Sequence, residues 1–213
     1  MRSGYIAQVS VDTSPGRTYA GKAPGERRAD RRARLLDAGL QVFGTAAWDE
    51  AGITLICATA RVGTRAFYEE FDSREALLLE VAAGIVEHGV QILRSALNPE
   101  PDTLAEAITL GLTSFLGFVT SDPRRARVLY GAVPCAEPLA PHRHLAARGL
   151  TGLLRERTVT LGIAARALNN DLLALALSGA ISELMGFWVA QTPAPPLDPT
   201  IDELAALLLA ALR

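Results

Sequence analysis

The sequence predicts an all-α fold in which a three-helix N-terminal domain precedes a larger helical domain, with about nine helices in all. Three observations support this prediction. Hydrophobic residues make up 49% of the 213 residues but aromatic residues only 6%, and the abundance of Ala, Leu and Arg favours helices. Apolar residues recur at helical spacing along most of the chain. No segment shows the apolar–polar alternation that is typical of strands.

The first 25 residues are rich in Gly, Pro, Ser and Thr and lack apolar periodicity, which predicts a flexible tail over residues 1–25. Two interpretations stay open: an inert extension, or a basic arm that reaches into a DNA minor groove. Residues 1–34 carry a net charge of +5 and residues 35–80 a net charge of −5. Only the leading edge of the first domain is therefore basic, which argues against tight nonspecific binding to DNA.

Three short helices follow and form the predicted first domain, residues 26–76. The first begins at Arg27 and ends at Gly44, a residue that suits a helix end. The second covers Ile53–Ala60. A tight connection leads to the third, which covers Thr64–Phe71.

This order of helices is typical of a helix-turn-helix. In such a motif the third helix enters the major groove of DNA and the second helix braces it across the backbone. We expect four apolar side chains to hold the polar third helix outward, namely Ile56, Val62, Phe67 and Phe71.

A fourth, long helix is predicted to begin between Asp72 and Glu75, where an acid or hydroxyl can cap it and Glu75 can complete a capping box. It runs to Asn98. About 25 residues give a length of roughly 37 Å, which is enough to bridge two domains.

The larger domain is expected to cover residues 77–213, and its helix boundaries follow from capping residues and prolines. The predicted segments are a helix over Leu104–Val119, a helix from Asp122-Pro123 to near Pro134, a loop over Pro134–Pro141, a helix over His142–Val159, a helix from Asn170 or Asp171 to Gln191, a break over Thr192–Pro196, and a last helix from a capping box at Thr200 to Arg213.

The compartment is expected to be the cytoplasm, without membrane contact. Cys57 and Cys135 lie in dissimilar settings and predict no disulfide framework. The N-terminus lacks the apolar core of a signal peptide. The most apolar stretch, Leu172–Ala190, is interrupted by polar residues, so we interpret it as a buried or interface helix rather than a membrane span.

No catalytic residue, metal site or cofactor is predicted, because the sequence shows no nucleophile beside a base and no Gly-rich phosphate loop. Cys135, Glu137, His142 and His144 carry atoms that suit zinc. Their spacing matches no zinc pattern and prolines interrupt it, so a loop with incidental polar residues is the expected alternative.

The N-terminal residues resemble the TetR family of transcriptional regulators over positions 31–80, most specifically over positions 67–77. The matching residues are Arg34-Leu35-Leu36-Asp37-Ala38 and Phe43 in the first helix, Ile53, Ile56-Cys57, Ala60-Arg61-Val62-Gly63 and Phe67-Tyr68 in the next two, and then Phe71, Arg74-Glu75 and Leu77.

This resemblance implies a ligand-responsive regulator, most commonly a repressor, that binds a palindromic operator in double-stranded DNA. Arg65 would contact a guanine, because its guanidinium matches two acceptors on that base. Tyr68 and Arg74 would hold phosphates. The alternative is that Tyr68 is partly core and Arg65 merely solvated. The residues implied in DNA binding are Thr54, Gly63, Thr64, Arg65, Ala66, Tyr68 and Arg74.

Four positions depart from the family pattern. The usual turn glycine is Arg61, which costs on the order of 1 kcal/mol if that position needs a positive φ. Gly63 replaces the usual Ser, so the glycine of the turn could have shifted by two residues. Gly52 is a weaker cap than the usual Thr. Glu70 replaces the usual His and would place an acid near phosphates, which is unfavourable.

The resemblance also implies that the last two helices form a homodimer interface and that a small, mostly apolar effector enters a pocket between the fourth and eighth helices. For each pocket residue the alternative is plain core packing. The candidate ligand-binding residues are His88, Leu112, Phe115, Phe118, Tyr130, Leu184, Phe187 and Trp188.

The expected mechanism treats the fourth helix as a rigid rod. Its tilt on effector binding would change the separation of the two recognition helices of a dimer. A second hypothesis is a helical regulator that has lost operator binding and acts through protein partners. The near-neutral first domain and Glu70 motivate this hypothesis.

Overall fold

The computed structural model describes residues 24–98, 100–131, 136–160 and 170–212. Over these ranges the chain is all-helical, which confirms the predicted fold class. The nine helices are α1 (Pro24–Thr45), α2 (Ile53–Ala60), α3 (Thr64–Tyr68), α4 (Arg74–Ala96), α5 (Leu104–Thr120), α6 (Pro123–Tyr130), α7 (Ala136–Thr160), α8 (Asn170–Ala190) and α9 (Asp198–Leu212).

Side-chain caps fix two of the helix starts that the sequence predicts. Ser73 accepts a hydrogen bond from the backbone N–H of Ala76 and starts α4. Asp122 caps α6, with Pro123 in the first turn, where a missing N–H costs nothing. Satisfying these free N–H groups typically stabilises a helix by about 1 kcal/mol.

Two predicted helix starts are wrong, one because prolines were taken as loop signals and the other because a capping box at Thr200 was taken as the start. The helix α7 begins at Ala136, six residues before the predicted start at His142, and it carries Pro141 inside. The helix α9 begins at Asp198 instead of Thr200. Pro199 lies in the first turn of α9, where a missing N–H costs nothing. Pro141 is the sixth residue of α7, so it removes one backbone hydrogen bond inside that helix.

The recognition helix is shorter than predicted, and α1 is longer. The helix α3 ends at Tyr68 instead of Phe71, but Phe71 remains buried in the turn that follows. The helix α1 is already formed at Pro24, three residues before the predicted start. The predicted tail therefore lies almost entirely outside the described residues.

The helices pack in two groups that share α4. The first helix packs against α2, α4 and α6, and α4 packs further along against α5 and α7. The close approach of α5 to α4 depends on Gly89, since a side chain there would meet the ring of Phe115 at 2.7 Å. The fourth helix thus contacts both the N-terminal helices and the larger domain, as expected for a bridging element.

Two helices, α4 and the stretch Asp171–Ala190 of α8, are long and apolar enough to cross a membrane by length and composition alone. They differ in burial. In the apolar window of α4, 44% of the residues are buried inside the fold, but in that of α8 only 22% are. The helix α8 therefore presents an apolar surface that a single chain leaves uncovered.

Candidate DNA-binding surface and effector cavity

The turn between α2 and α3 is built on Arg61, which adopts the left-handed conformation with φ 52° and ψ 48°. In this conformation its N–H is directed to the carbonyl of Ala58, while the N–H of Val62 donates to the carbonyl of Cys57 at 3.0 Å. Gly63 is extended and precedes α3. The idea that Gly63 takes over the glycine role is therefore wrong, and Arg61 itself carries the strain, about 1–2 kcal/mol for a residue with a Cβ.

The apolar side of α3 anchors this short helix. Phe67 is completely buried and lies 5.9 Å from the ring of Phe71. Ile56 of α2 is also fully buried in the same core, and Val62 is partly buried against it. The packing predicted for these four residues is confirmed, and it fixes α3 as a separate helix after a turn.

The opposite side of α3 is open to solvent. The side chain of Arg65 is 96% exposed, and Thr64 and Tyr68 are exposed as well. Thr54 on α2 and Gly63 in the turn are exposed beside them, and Ala66 is half-buried. These six predicted DNA-binding residues lie close together in sequence around the α2–α3 turn. Their polar groups lie on elements that the buried core holds in place.

Arg74, the seventh predicted DNA-binding residue, lies at the first position of α4. Its Nη1 donates to the carbonyl oxygens of Trp48 at 2.9 Å and Ala51 at 3.3 Å. Its guanidinium lies 4.1 Å from the centre of the Trp48 ring. These contacts fasten α4 to the α1–α2 turn, so the structure shows a structural role for Arg74 beside the predicted phosphate contact.

Glu70 is not directed toward solvent. Its side chain is fully buried and lies against three arginines of α1. Arg31 donates to it at 2.6 Å and Arg28 at 3.2 Å, while Arg32 donates to its backbone carbonyl at 3.3 Å. The arginines of α1 therefore neutralise this carboxylate, which offsets the unfavourable effect expected of an acid near phosphates.

Two opposing effects act on the pKa of Glu70. Burial raises it, but the hydrogen bonds from Arg31 and Arg28 outweigh burial, and the pKa lies below its ordinary value. Arg31 also pairs with Glu69 at 3.5 Å, and Arg32 pairs with Glu80. Three arginines of the basic edge predicted from the charge distribution, Arg28, Arg31 and Arg32, are thus paired with acids.

A small, mostly apolar cavity lies between α4, α5, α6, α7 and α8. It brings together three predicted ligand-binding residues, Leu112, Phe115 and Tyr130. Only about 20 Å³ is free for the centre of a water-sized sphere, which is room for one or two waters. The remaining lining residues were not predicted and are Leu93, Arg143, Ala146, Ala147, Leu150, Ser178 and Ile181.

The other predicted ligand-binding residues lie elsewhere. His88 and Phe118 contact each other, with ring centres 4.8 Å apart, and line a separate groove beside α1. Trp188 donates its ring N–H to the carbonyl of Pro195 at 2.9 Å. Leu184 and Phe187 are exposed on α8.

The polar groups of the cavity are Arg143, Ser178 and Tyr130. Arg143 donates to the carbonyl of Leu129 at 2.8 Å. Burial raises the pKa of Tyr130 well above its ordinary value, so its phenol stays protonated. Sequence reasoning missed Arg143, although apolar residues at helical spacing from it, namely Leu139, Ala146 and Ala147, were a signal that could have found it.

A larger open groove, of about 920 Å³, adjoins the cavity and shares Tyr130 and Arg143 with it. Its walls come from the end of α1 with Trp48, from α6 with Arg127, and from α8 with Phe187. The groove therefore connects the cavity wall to the helix-turn-helix part of the chain.

No group of three metal-ligating side chains occurs among the residues that the structure describes. Of the set considered from the sequence, Cys135 and the side chain of Glu137 lie outside those residues.

The described helices define an all-helical protein with an N-terminal helix-turn-helix and a larger helical domain. Residues 35–81 match the bacterial regulatory proteins of the tetR family. This match confirms, over that segment, the resemblance recognised from the sequence, and the matched family is one of regulatory proteins. No curated protein matches the chain significantly.

Solved structures share the fold over most of the chain. The fatty acid degradation regulator FadR from Bacillus halodurans is 21% identical, with a TM-score of 0.69 over 89% of this chain and 96% of that chain. FadR from Bacillus subtilis, solved in complex with stearoyl-CoA, is 15% identical, with a TM-score of 0.66 over 85% and 99%. A TetR-like regulator from Rhodococcus sp. is 22% identical, with a TM-score of 0.57 over 84% and 96%.

Proposed function

We propose that this protein is a ligand-responsive transcriptional repressor of the cytoplasm, which binds a palindromic operator as a homodimer and releases it when an effector enters the cavity. Residues 26–76 would bind DNA and residues 77–213 would bind the effector and dimerise. The orientation of α3 carries the proposal: Phe67 is fully buried while Thr64, Arg65 and Tyr68 face solvent. A polar helix held outward at a fixed angle is what the major groove accepts.

The proposed DNA contacts fall into two classes, those to bases and those to the DNA backbone. Arg65 would read a guanine through two acceptors, and Thr64 and Ala66 would lie against neighbouring bases. Tyr68 would hold a phosphate through its hydroxyl, and Thr54 and the N–H of Gly63 would hold the strand beside α2. Arg74 would add a phosphate contact from the start of α4, where free N–H groups already favour anions.

Dimerisation is supported by the apolar surface of the last two helices. On α8, Leu172, Leu175 and Phe187 are at least 60% exposed, and on α9 Leu207 is 66% exposed. Exposed apolar patches of this kind mark interaction surfaces. A second copy would cover them and place two recognition helices about 34 Å apart, one turn of DNA.

We infer that the effector is an amphiphile with a long apolar tail and an anionic head. Leu112, Phe115 and the other apolar side chains of the cavity suit the tail, and the phenol of Tyr130, which the cavity and the groove share, would donate to the head. Arg127 and Arg143 in the adjoining groove suit the head. The similarity in fold to a regulator solved with stearoyl-CoA supports this class. The cavity must open to admit a tail, because it has room for only one or two waters.

A gel-shift titration with DNA from upstream of the gene tests the proposal. Arg65→Ala should weaken sequence-specific binding by about 10- to 100-fold, the usual effect of one lost bidentate base contact. The control is Arg94→Ala, the same change at an exposed position in the last turn of α4. Stearoyl-CoA should release the parent complex and stearate should do so less well.

Two results would contradict the proposal. Equal binding by the Arg65 variant, its control and the parent would remove α3 from base reading. The absence of any specific shift at low salt would favour the alternative of a regulator that acts through protein partners, for which the buried and neutralised Glu70 no longer gives a motive.

A further inference from the structure

Two arginines of the helix-turn-helix part carry charges that are not paired with an acid. Arg28, Arg31 and Arg32 of α1 each lie against a carboxylate. Arg34 of α1 and Arg61 of the turn are exposed, and over the ranges that the structure describes no ion pair joins either of them to an acid. Their guanidinium groups are therefore available to an anion from outside the molecule.

The two unpaired arginines meet at the turn between α2 and α3. Nη1 of Arg34 donates to the backbone carbonyl oxygen of Arg61 at 3.4 Å, across 27 residues of sequence. This bond brings the charge of one arginine to the backbone of the other. Two like charges at one turn repel each other, and in the free protein only solvent and salt screen them. A bound anion would offset this repulsion.

Arg61 also adopts an unfavourable backbone conformation. Its φ of 52° lies in the left-handed region, which glycine adopts without strain. Glycine is also the residue that the TetR resemblance leads one to expect there. Strained residues occur preferentially at functional sites. Strain and charge repulsion thus coincide at one exposed turn, and a role in binding an anion accounts for both.

The position of the turn indicates which anion fits. Arg61 lies three residues before Thr64, the first residue of α3, and the intervening Gly63 is extended. When α3 lies in the major groove, its start is level with the bases, so the turn before it lies over the sugar-phosphate backbone at the border of the groove. A guanidinium binds phosphate through two parallel N–H donors. A phosphate of the DNA backbone is therefore the anion that suits this turn.

We propose that Arg34 and Arg61 bind neighbouring phosphates of the DNA backbone at the edge of the major groove, where they add affinity without reading bases. The proposal rests on the proposed function, because it takes α3 as the helix that enters the groove. It gives a role to two residues outside the predicted DNA-binding set. It also explains the strained turn, since glycine at position 61 would favour folding but remove one phosphate contact.

The salt dependence of DNA binding tests this proposal. The operator and a scrambled duplex of equal length are titrated between about 50 and 200 mM salt with the parent, Arg61→Gly, Arg61→Lys, Arg34→Ala and the double variant of Arg61→Gly with Arg34→Ala. Each lost phosphate contact should lower the slope of log K against log salt by about 0.9, which corresponds to about an eightfold change in affinity per tenfold change in salt. The double variant should lose about twice as much slope. Arg61→Lys keeps the charge and should retain most of the parent slope.

Two further readouts separate phosphate binding from other effects. Arg61→Gly should melt no lower than the parent, so a loss of binding in this variant cannot come from unfolding. It should weaken binding to the operator and to the scrambled duplex by the same factor, whereas Arg65→Ala should mainly weaken binding to the operator. Arg94→Ala is the matched control, because it removes an exposed arginine from the last turn of α4.

The slopes decide the proposal in every case. A parent slope in either Arg61→Gly or Arg34→Ala overturns it, since the two residues are proposed to act at one site. An equal fall in Arg94→Ala also overturns it, because net charge alone would then explain the loss. If the parent binds the operator and the scrambled duplex equally, the proposed function fails, and the slopes on the scrambled duplex still test the two arginines. Absence of binding to either duplex at about 50 mM salt overturns both.

Discussion

The left-handed Arg61 predicts that this protein becomes more stable when a long side chain is removed. At φ 52° and ψ 48° the Cβ of Arg61 is strained, by about 1–2 kcal/mol. Arg61→Gly removes that strain but gives the unfolded chain more freedom, which costs about 0.5–1 kcal/mol. The net gain is about 0.5–1 kcal/mol, equivalent to roughly 1–4 °C in melting temperature for a chain of this size.

Thermal melts of the parent, Arg61→Gly and Arg61→Ala at one protein concentration measure this gain. Alanine keeps the Cβ, so Arg61→Ala should not be stabilised and separates backbone strain from the loss of the charged side chain. The reasoning fails if the alanine variant melts as high as the glycine variant. The bond from Arg34 to the Arg61 carbonyl does not depend on the side chain and should persist in both.

Three further predictions follow from the buried carboxylate, the recognition-helix anchor and the exposed apolar surface. Glu70→Gln should lose about 1–3 kcal/mol at pH 7. Because the pKa of Glu70 is lowered on folding, this stability is present above about pH 4.5 and is lost as the pH falls through the folded pKa, so urea titrations of variant and parent should converge near pH 3; parallel curves would argue against it. Phe67→Ala should cost about 3–5 kcal/mol, and a smaller loss in urea unfolding would mean that α3 is not anchored by this ring. Phe187→Glu should shift the protein from dimer to monomer in sedimentation velocity, whereas Leu55→Glu, an exposed apolar position on α2, should not.

Most of the fold could be predicted from the sequence because local signals, such as capping residues and apolar stripes, agree with the observed helices. The caps at Ser73 and Asp122 and the apolar stripe of α5 mark helix starts and faces without reference to distant residues. The failure at α7 arises where proline was treated as a breaker although it lay in the first two turns of the helix, and the failure at α9 arises where a capping box at Thr200 was taken as the start. The preference of proline for turns was applied correctly at α7, but the sequence did not show that the prolines lie near the start of a helix.

The candidate site was only partly predictable. Helical periodicity predicts which face of a helix is buried but not which element packs against that face. His88 and Phe115 both belong to apolar stripes, yet only Phe115 lines the cavity while His88 turns to Phe118. Glu70 is neutralised by Arg31, which is 39 residues away in sequence. No spacing rule connects such residues, so the reversal of the expected charge effect could be seen only in three dimensions.

The small volume of the cavity has a consequence for timing. On the proposed function, a ligand tail would enter only during openings of the wall, so its association rate would be limited by how often α6 and its neighbours separate rather than by diffusion. The apparent affinity would be lowered by the fraction of molecules that are open.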